Sequence, residues 1–256
     1  QLFTMIFKNT VFNTNEWRWS KYLKYLLSKS KEYKLTEKEI LPKFSYLESL
    51  YGSKKNKKIV NLFNWAACSE RITLSRALCI NSPDYAILNF LIIPESIFNM
   101  PFLGLDFVSL PGYHLLVLDF QPSIEFERQF KKEWLDKLLK IKNNFYHQFP
   151  FNQEMSQEFS KFFSPALIWM KLPKQTESDY LISNQLFDVF KDYFNLYFDV
   201  LYKAKKVDED LNSEIVKGQN FYLRFRKDKD PARPMLNTLF GSVFTETLLS
   251  DILFKI

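Results

Sequence analysis

Between Asn61 and Pro122 the chain runs through apolar, strand-like segments separated by only a few residues. "LFNWAACSERITLSRALCI", "YAILNFLIIP", "LGLDFVSLP" and "HLLVLDFQP" are rich in β-branched and aromatic residues and are bounded by Pro, Gly, Asn or Ser. Parallel neighbours need a crossover of roughly a dozen residues or more, so links this short make the strands antiparallel. Helical periodicity flanks this block. Trp19, Tyr22, Leu23 and Leu26 recur at three- and four-residue spacing within residues 15–30. "TEKE" at the start of residues 36–50 resembles a helix cap, and the remainder of that segment is not decided by pattern. After Pro122, "FERQFKKEWLDKLLKIKNNF" repeats apolar residues helically, and "FFSPALIWMKLP" reads as one more strand. Leu186, Val189, Phe190, Tyr193, Phe194, Tyr197, Val200 and Leu201 then form a broad apolar helix face, with Ser183 or Asn184 as cap. Further helices are predicted over 213–228 and near 243–253. A helical start, a block of strands and a helical end predict an antiparallel sheet with helices packed on its faces.

With 46% hydrophobic residues, 256 residues suffice for one large core, and no linker divides residues 1–256 into separate domains. "YAILNFLII", among the longest apolar runs, falls well short of the ~20 residues a membrane-spanning helix requires. The opening "QLFTMIFKNTVFNTNEW" lacks the basic start, apolar middle and small-residue cleavage site of a secretory signal. Cys68 and Cys79 fall in core segments, with no Cys-x-x-Cys spacing, and read as buried thiols. His114 and His147 stand far apart, without a Cys or second His at ligand spacing, which speaks against structural zinc. No dinucleotide or P-loop string occurs, and five glycines leave little material for one. The expectation is a protein with no bound cofactor of its own.

Net charge is +6 and unevenly spread. Residues 1–80 hold fifteen Lys and Arg against six Asp and Glu, and "GSKKNKKIV", with Lys54, Lys55, Lys57 and Lys58, is the densest point. Such a run is ordinarily a solvated loop; its functional alternative is a patch that steers an acidic partner. Nucleic acid is disfavoured, because no aromatic residues interleave with the lysines to stack bases.

Several polar residues stand where apolar ones belong. A carboxylate buried alone costs several kcal/mol, so Asp106 in "LGLDFVSL" must be paired, hydrogen-bonded or protonated. Strand alternation puts Asp106, Val108 and Leu110 on one face and Leu105, Phe107 and Ser109 on the other. Its structural alternative is an edge position against a backbone N–H or a lysine. Asp119, before "FQP", suits a turn cap. Asp230, followed by Pro231, suits a helix N-cap, and Asn89 in "ILNFL" reads by default as a satisfied core amide.

"FLGLDFVSLPGYHLLVLDFQP", "FFSPALIW" and "KDKDPARPML" succeeded by "FGSVFTETLLSDILF", in this order, resemble the ferredoxin-dependent bilin reductases, which reduce linear tetrapyrroles derived from biliverdin. The first 60 or so residues add little to the likeness. The resemblance implies a three-layer α/β/α sandwich with a central antiparallel sheet, the bilin lying between the sheet and the C-terminal helices. It places a proton-donating aspartate at Asp106 and a second functional aspartate at Asp230. Asn89 stands where the phycocyanobilin-forming branch has histidine, which points to the branches forming phycoerythrobilin and phytochromobilin. The chain looks most similar to the branch that reduces the A-ring diene of 15,16-dihydrobiliverdin, with the enzymes acting on biliverdin as the alternatives. Pro234 departs from the family's usual glycine and stiffens the segment after Asp230.

The resemblance further implies reduced ferredoxin as external one-electron donor and partner, and the preceding bilin reductase as a source of substrate. It implies a monomer in a plastid stroma or cyanobacterial cytoplasm. Asn89 would orient the tetrapyrrole, and Arg224 and Arg226 are the candidates for its two propionates, since guanidinium binds carboxylate in bidentate fashion. Two other classes stay open on sequence alone: a bilin carrier without reductase activity, and a scaffold that docks acidic proteins.

Overall fold

Alternation along the apolar segments resolves into one antiparallel sheet. The structure, a computed structural model, describes residues 17–146 and 160–255; His147 and the residues before Trp17 lie outside that set. The strands are β1 (Thr36–Glu37), β2 (Tyr46–Ser53), β3 (Asn56–Ser69), β4 (Ile72–Asn81), β5 (Ala86–Pro94), β6 (Phe102–Leu110), β7 (Tyr113–Gln121) and β8 (Ile168–Pro173). Their order is β1-β3-β4-β5-β6-β7-β8, with β2 also paired to β3. From β3 to β7 each strand pairs with the one before it, as the short connections require.

The helices are α1 (Ser20–Glu32), α2 (Pro42–Ser45), α3 (Phe126–Gln129), α4 (Lys132–Tyr146), α5 (Thr176–Ser183), α6 (Gln185–Lys203), α7 (Glu209–Asp228), α8 (Arg233–Phe240) and α9 (Ser242–Thr247), after which comes a π-helical turn, Leu248–Leu253. One sheet face meets α1, α4, α5 and α6. Leu105, Phe107, Leu116, Leu118 and Phe120 pack there against Tyr22, Trp134, Phe190, Tyr193 and Tyr197. The other face meets α7, α8 and the π-helical turn, with Leu78, Ile87, Leu91 and Phe102 against Tyr222, Leu236, Leu239, Leu249 and Phe254. The result is the α/β/α sandwich expected from the sequence. No described helix is long and apolar enough to cross a membrane.

Indole donors fix the start of α1 to the sheet: Trp17 Nε1 donates to the Ile80 carbonyl at 3.1 Å and Trp19 Nε1 to that of Ala86 at 2.8 Å. The predicted aromatic helix is found as α6. Asn184 is the residue before it, but its amide donates back to the Tyr180 carbonyl in the last turn of α5 at 2.8 Å and does not cap α6.

Other expectations need correction. "LFNWAACSERITLSRALCI" is two strands, β3 and β4, turning at Glu70 and Arg71; polar residues only two deep interrupt the apolar run too briefly to mark a hairpin by pattern. Residues 36–50 hold β1, α2 and most of β2, and β2 turns into β3 through Gly52 at φ 101°, where a Cβ would lie 2.6 Å from the Asn56 carbonyl oxygen. The helix expected from Phe126 onward breaks at Phe130 into α3 and α4. Neither α5 nor α8 carries a long enough repeat to be predicted separately.

Candidate active site

The strand register puts Leu78 opposite Asn89, Asn89 opposite Asp106 and Asp106 opposite Val117. Residues two apart on one strand share a face. Arg76, Asn89, Gly104, Asp106 and Gln121 therefore all look toward the C-terminal helices, while Phe90, Leu105 and Phe107 look into the aromatic layer.

Helix α7 crosses above this group because it touches down at Gly218. A Cβ there would sit 1.9 Å from the Ser123 carbonyl oxygen, so only glycine permits the approach. The neighbouring Gln219 donates to the Pro94 carbonyl at 3.0 Å and fixes the same turn of helix. Four and eight residues beyond Gly218, on the same helical face, stand Tyr222 and Arg226. Tyr222 stacks on Phe102 with ring centres 4.4 Å apart and donates its hydroxyl to Gln121 Oε1. Gly104 makes that partner possible, since a Cβ at this position would lie 2.5 Å from the same oxygen.

A cleft with about 220 Å³ of open space lies between sheet and helix, lined by Arg76, Asn89, Asp106, Gln121, Tyr222, Arg226 and Phe254 among others. One hydrogen-bonded chain crosses it. Arg76 Nε donates to the Leu253 carbonyl at 2.8 Å, and another of its nitrogens donates to Asn89 Oδ1 at 2.6 Å. Asn89 Nδ2 donates to Asp106 Oδ1, and Arg226 reaches Asp106 Oδ2 at 3.4 Å and the Tyr222 hydroxyl at 3.3 Å. The Phe254 ring lies between the two guanidinium groups, 5.4 Å from that of Arg76 and 5.7 Å from that of Arg226. Burial pulls the Arg76 guanidinium down to about 10, against the pull of Asp106, which leaves it charged at neutral pH.

Asp230 lies in the turn between α7 and α8. Its Oδ1 accepts the Ala232 N–H at 2.7 Å, so the carboxyl holds the turn, while Ala232 and not Asp230 is the residue before α8. Burial raises this carboxyl above the usual range; Arg226 and the Ala232 N–H oppose the shift, and Asp106 reinforces it. Pro234 falls in the first turn of α8, where a missing N–H costs nothing.

Of the residues singled out in the sequence, the structure brings Asn89, Asp106 and Arg226 into one contact network, with Asp230 electrostatically coupled to it. Arg224 is not part of it: two residues from Tyr222 and Arg226, it is exposed on the outer side of α7. Asp119 is fully buried below the cleft and accepts the Ser164 N–H at 2.7 Å and hydroxyl at 2.5 Å, tying "FFSPA" to β7. Contrary to expectation, it does not cap the turn after its own strand but holds a segment distant in sequence. Lys54, Lys55 and Lys57 are exposed in the β2–β3 hairpin, and Lys58 pairs with Asp84 at 2.7 Å. Among the described residues, no group of three or more His, Cys, Asp or Glu is arranged to hold a metal ion.

Arg76, Gln121, Tyr222 and Phe254 were not identified from the sequence. Arg76 carried a signal, as a lone charge inside "ITLSRALCI", and Tyr222 stands one helical turn before Arg226. Phe254 carried none, because nothing local distinguishes it from core.

Comparison with known proteins agrees with this geometry. Residues 23–255 match the family model for ferredoxin-dependent bilin reductase. The phycoerythrobilin:ferredoxin oxidoreductase of Prochlorococcus marinus subsp. pastoris is 52% identical over 98% of both chains, and that of a second Prochlorococcus marinus strain is 51% identical over 98% of this chain and 99% of its own. The fold matches the crystal structure of tomato phytochromobilin synthase in complex with biliverdin at a TM-score of 0.81 and 22% identity, covering 92% of this chain and 82% of that one. A cleft with a carboxyl group at its centre, a family match over nearly the whole chain and relatives at half identity lead to one conclusion: the chain belongs to the ferredoxin-dependent bilin reductases, oxidoreductases that take their electrons from ferredoxin.

Proposed function

We propose that this reductase converts 15,16-dihydrobiliverdin to phycoerythrobilin by reducing the A-ring diene. The names of relatives at about half identity support the substrate class. The observation that carries the chemistry is Asp106, held between Asn89 and Arg226 in the wall of the cleft. The reaction adds two electrons and two protons. Ferredoxin delivers electrons singly, so the pigment passes through a radical and each addition has to be matched by a proton at a defined carbon. Asp106 is the first proton donor in this reading, and Asp230, whose carboxyl burial holds above its usual range, supplies or relays the second. Asn89 fixes the pigment by hydrogen bonding, and of the two arginines only Arg226 borders the cleft and can meet a pigment carboxylate inside it.

The sign of the surface charge suits an acidic electron donor, with the basic first third of the chain raising encounter rates in a salt-dependent way. Cyanobacterial relatives suit a cytoplasmic or plastid setting.

The test is an anaerobic assay with reduced ferredoxin in which biliverdin and 15,16-dihydrobiliverdin are offered separately and monitored by absorbance. Conversion of dihydrobiliverdin alone, to a phycoerythrobilin-like product, is expected. Consumption of biliverdin moves the chain to another branch of the family, and binding without reduction makes it a carrier. Asp106→Asn and Asp230→Asn are each expected to bind pigment and turn it over slowly; wild-type rates in either remove that residue from the mechanism.

A further inference from the structure

Arg76 has no part in the chemistry above, yet it is 3% exposed and holds the centre of the hydrogen-bonded chain. A guanidinium has only donors. The atom of Asn89 that faces it must therefore be Oδ1, which leaves Nδ2 for Asp106. An amide nitrogen also only donates, so toward Asn89 the Asp106 Oδ1 is an acceptor, a part that an unprotonated carboxyl oxygen fills better than a hydroxyl. The close amide contact thus favours Oδ2 as the oxygen that carries the proton when Asp106 is protonated, since the Arg226 contact to Oδ2 is a long one at 3.4 Å.

We propose that Arg76 is a positioning residue which, by locking the Asn89 amide in one of its two orientations, makes Asp106 offer its proton from Oδ2. This rests on Asp106 being the proton donor. With Arg76 absent, the Asn89 amide is free to turn over. Its oxygen then faces Asp106 Oδ1 and accepts the acid's proton there, holding it away from the pigment. Arg76 also anchors the C-terminal turn through Leu253, so its effect on structure has to be separated from its effect through Asn89.

A double-mutant cycle separates them. Arg76→Met removes every donor while keeping an unbranched side chain. It is expected to lower kcat on dihydrobiliverdin about tenfold with KM within about twofold. In an Asn89→Ala background, where no amide remains to be oriented, the same substitution is expected to cost less than about twofold. Equal losses in both backgrounds, or a change in KM with kcat preserved, assign Arg76 to the C-terminal anchor and overturn the proposal. If Arg76→Met does not fold, Arg76→Lys takes its place in the cycle. A single ammonium cannot hold Leu253 and Asn89 together, so a smaller loss, about threefold and again abolished by Asn89→Ala, is expected. Asp106→Asn, measured alongside, distinguishes the two failures. A wild-type rate in that variant overturns the proton-donor reading and this proposal with it, whereas a slow Asp106→Asn beside an unimpaired Arg76→Met overturns the role of Arg76 alone.

Discussion

Asp106 and Phe107 are consecutive on β6, and they face two different kinds of interior. Phe107 enters a dry layer in which Trp19, Tyr22 and Phe190 surround it at ring distances of 5.3, 5.1 and 6.4 Å. Asp106 enters a wet one, where its carboxyl meets an amide and a guanidinium and borders open space. The dry face is filled by aromatic rings whose hydroxyls find backbone carbonyls: Tyr193 donates to Ala166 at 2.6 Å and Tyr197 to Pro101 at 2.8 Å. On the wet face, polar groups near the cleft bond mainly to one another. One sheet thus meets a closely packed aromatic layer on one side and borders the polar cleft on the other, with the pleat as the partition.

That division breaks most visibly at Phe107. Phe107→Ala is expected to destabilise the protein by about 3–5 kcal/mol through cavity formation, measured by urea denaturation, with kcat of the folded protein unchanged. Loss of kcat at full stability would show that the two faces are not separate. Its neighbour should behave in the opposite way: Asp106→Asn is expected to lose about 100-fold or more in kcat, equivalent to about 2.7 kcal/mol in the barrier, with a denaturation midpoint close to that of the unaltered protein. Asp119 sharpens the contrast because it is an aspartate on the wet side without access to the cleft. Asp119→Ala leaves the Ser164 N–H unpaired and is expected to cost about 1–3 kcal/mol of stability while leaving kcat and KM in place.

The smallest effect concerns pH and tests the dry face. His114 is fully buried there, its Nδ1 2.8 Å from Ser109 Oγ. Burial pushes its pKa down to about 4, helped by Arg18 and Lys174 and opposed by Asp179. The unfolded chain, with an imidazole near ~6.5, binds more protons than the folded one between those values, so stability is lost as pH falls through this window. A loss on the order of 1 kcal/mol by pH 5 is expected. His114→Gln should flatten the profile; an unchanged slope would assign the acid sensitivity to other groups.

Much of this was legible in the sequence. Strand alternation placed Asp106 and Phe107 on opposite faces, and the short links between apolar runs required antiparallel pairing. Asn89 and Asp106 stand out as an amide and an acid in apolar strands, but their place in a site, and that of Arg226, came from the family likeness; the structure joins the three. Arg224 was misleading, since the string "RFR" does not reveal which arginine turns inward until the phase of α7 is fixed by Gly218. Contacts between distant segments were not legible. Nothing near Asp119 in sequence points to Ser164, and nothing near Arg76 points to the Leu253 carbonyl, because such pairs exist only once the sheet and its helices are assembled. The β3–β4 hairpin was missed because its turn is almost as apolar in its surroundings as the strands it joins.

The seating of α7 has a consequence for how enzymes of this kind diversify. The helix is located by backbone meeting backbone, at Gly218 against Ser123, a full turn before the first side chain it presents to the cleft. The placing of the helix and the lining of the cleft thus rest on different residues. Arg226, two turns further on, is separate from that contact, whereas any side chain at position 218 would shift the whole wall of the cleft at once. As long as this glycine is kept, the groups opposite Asp106 can change one at a time while the scaffold is left alone.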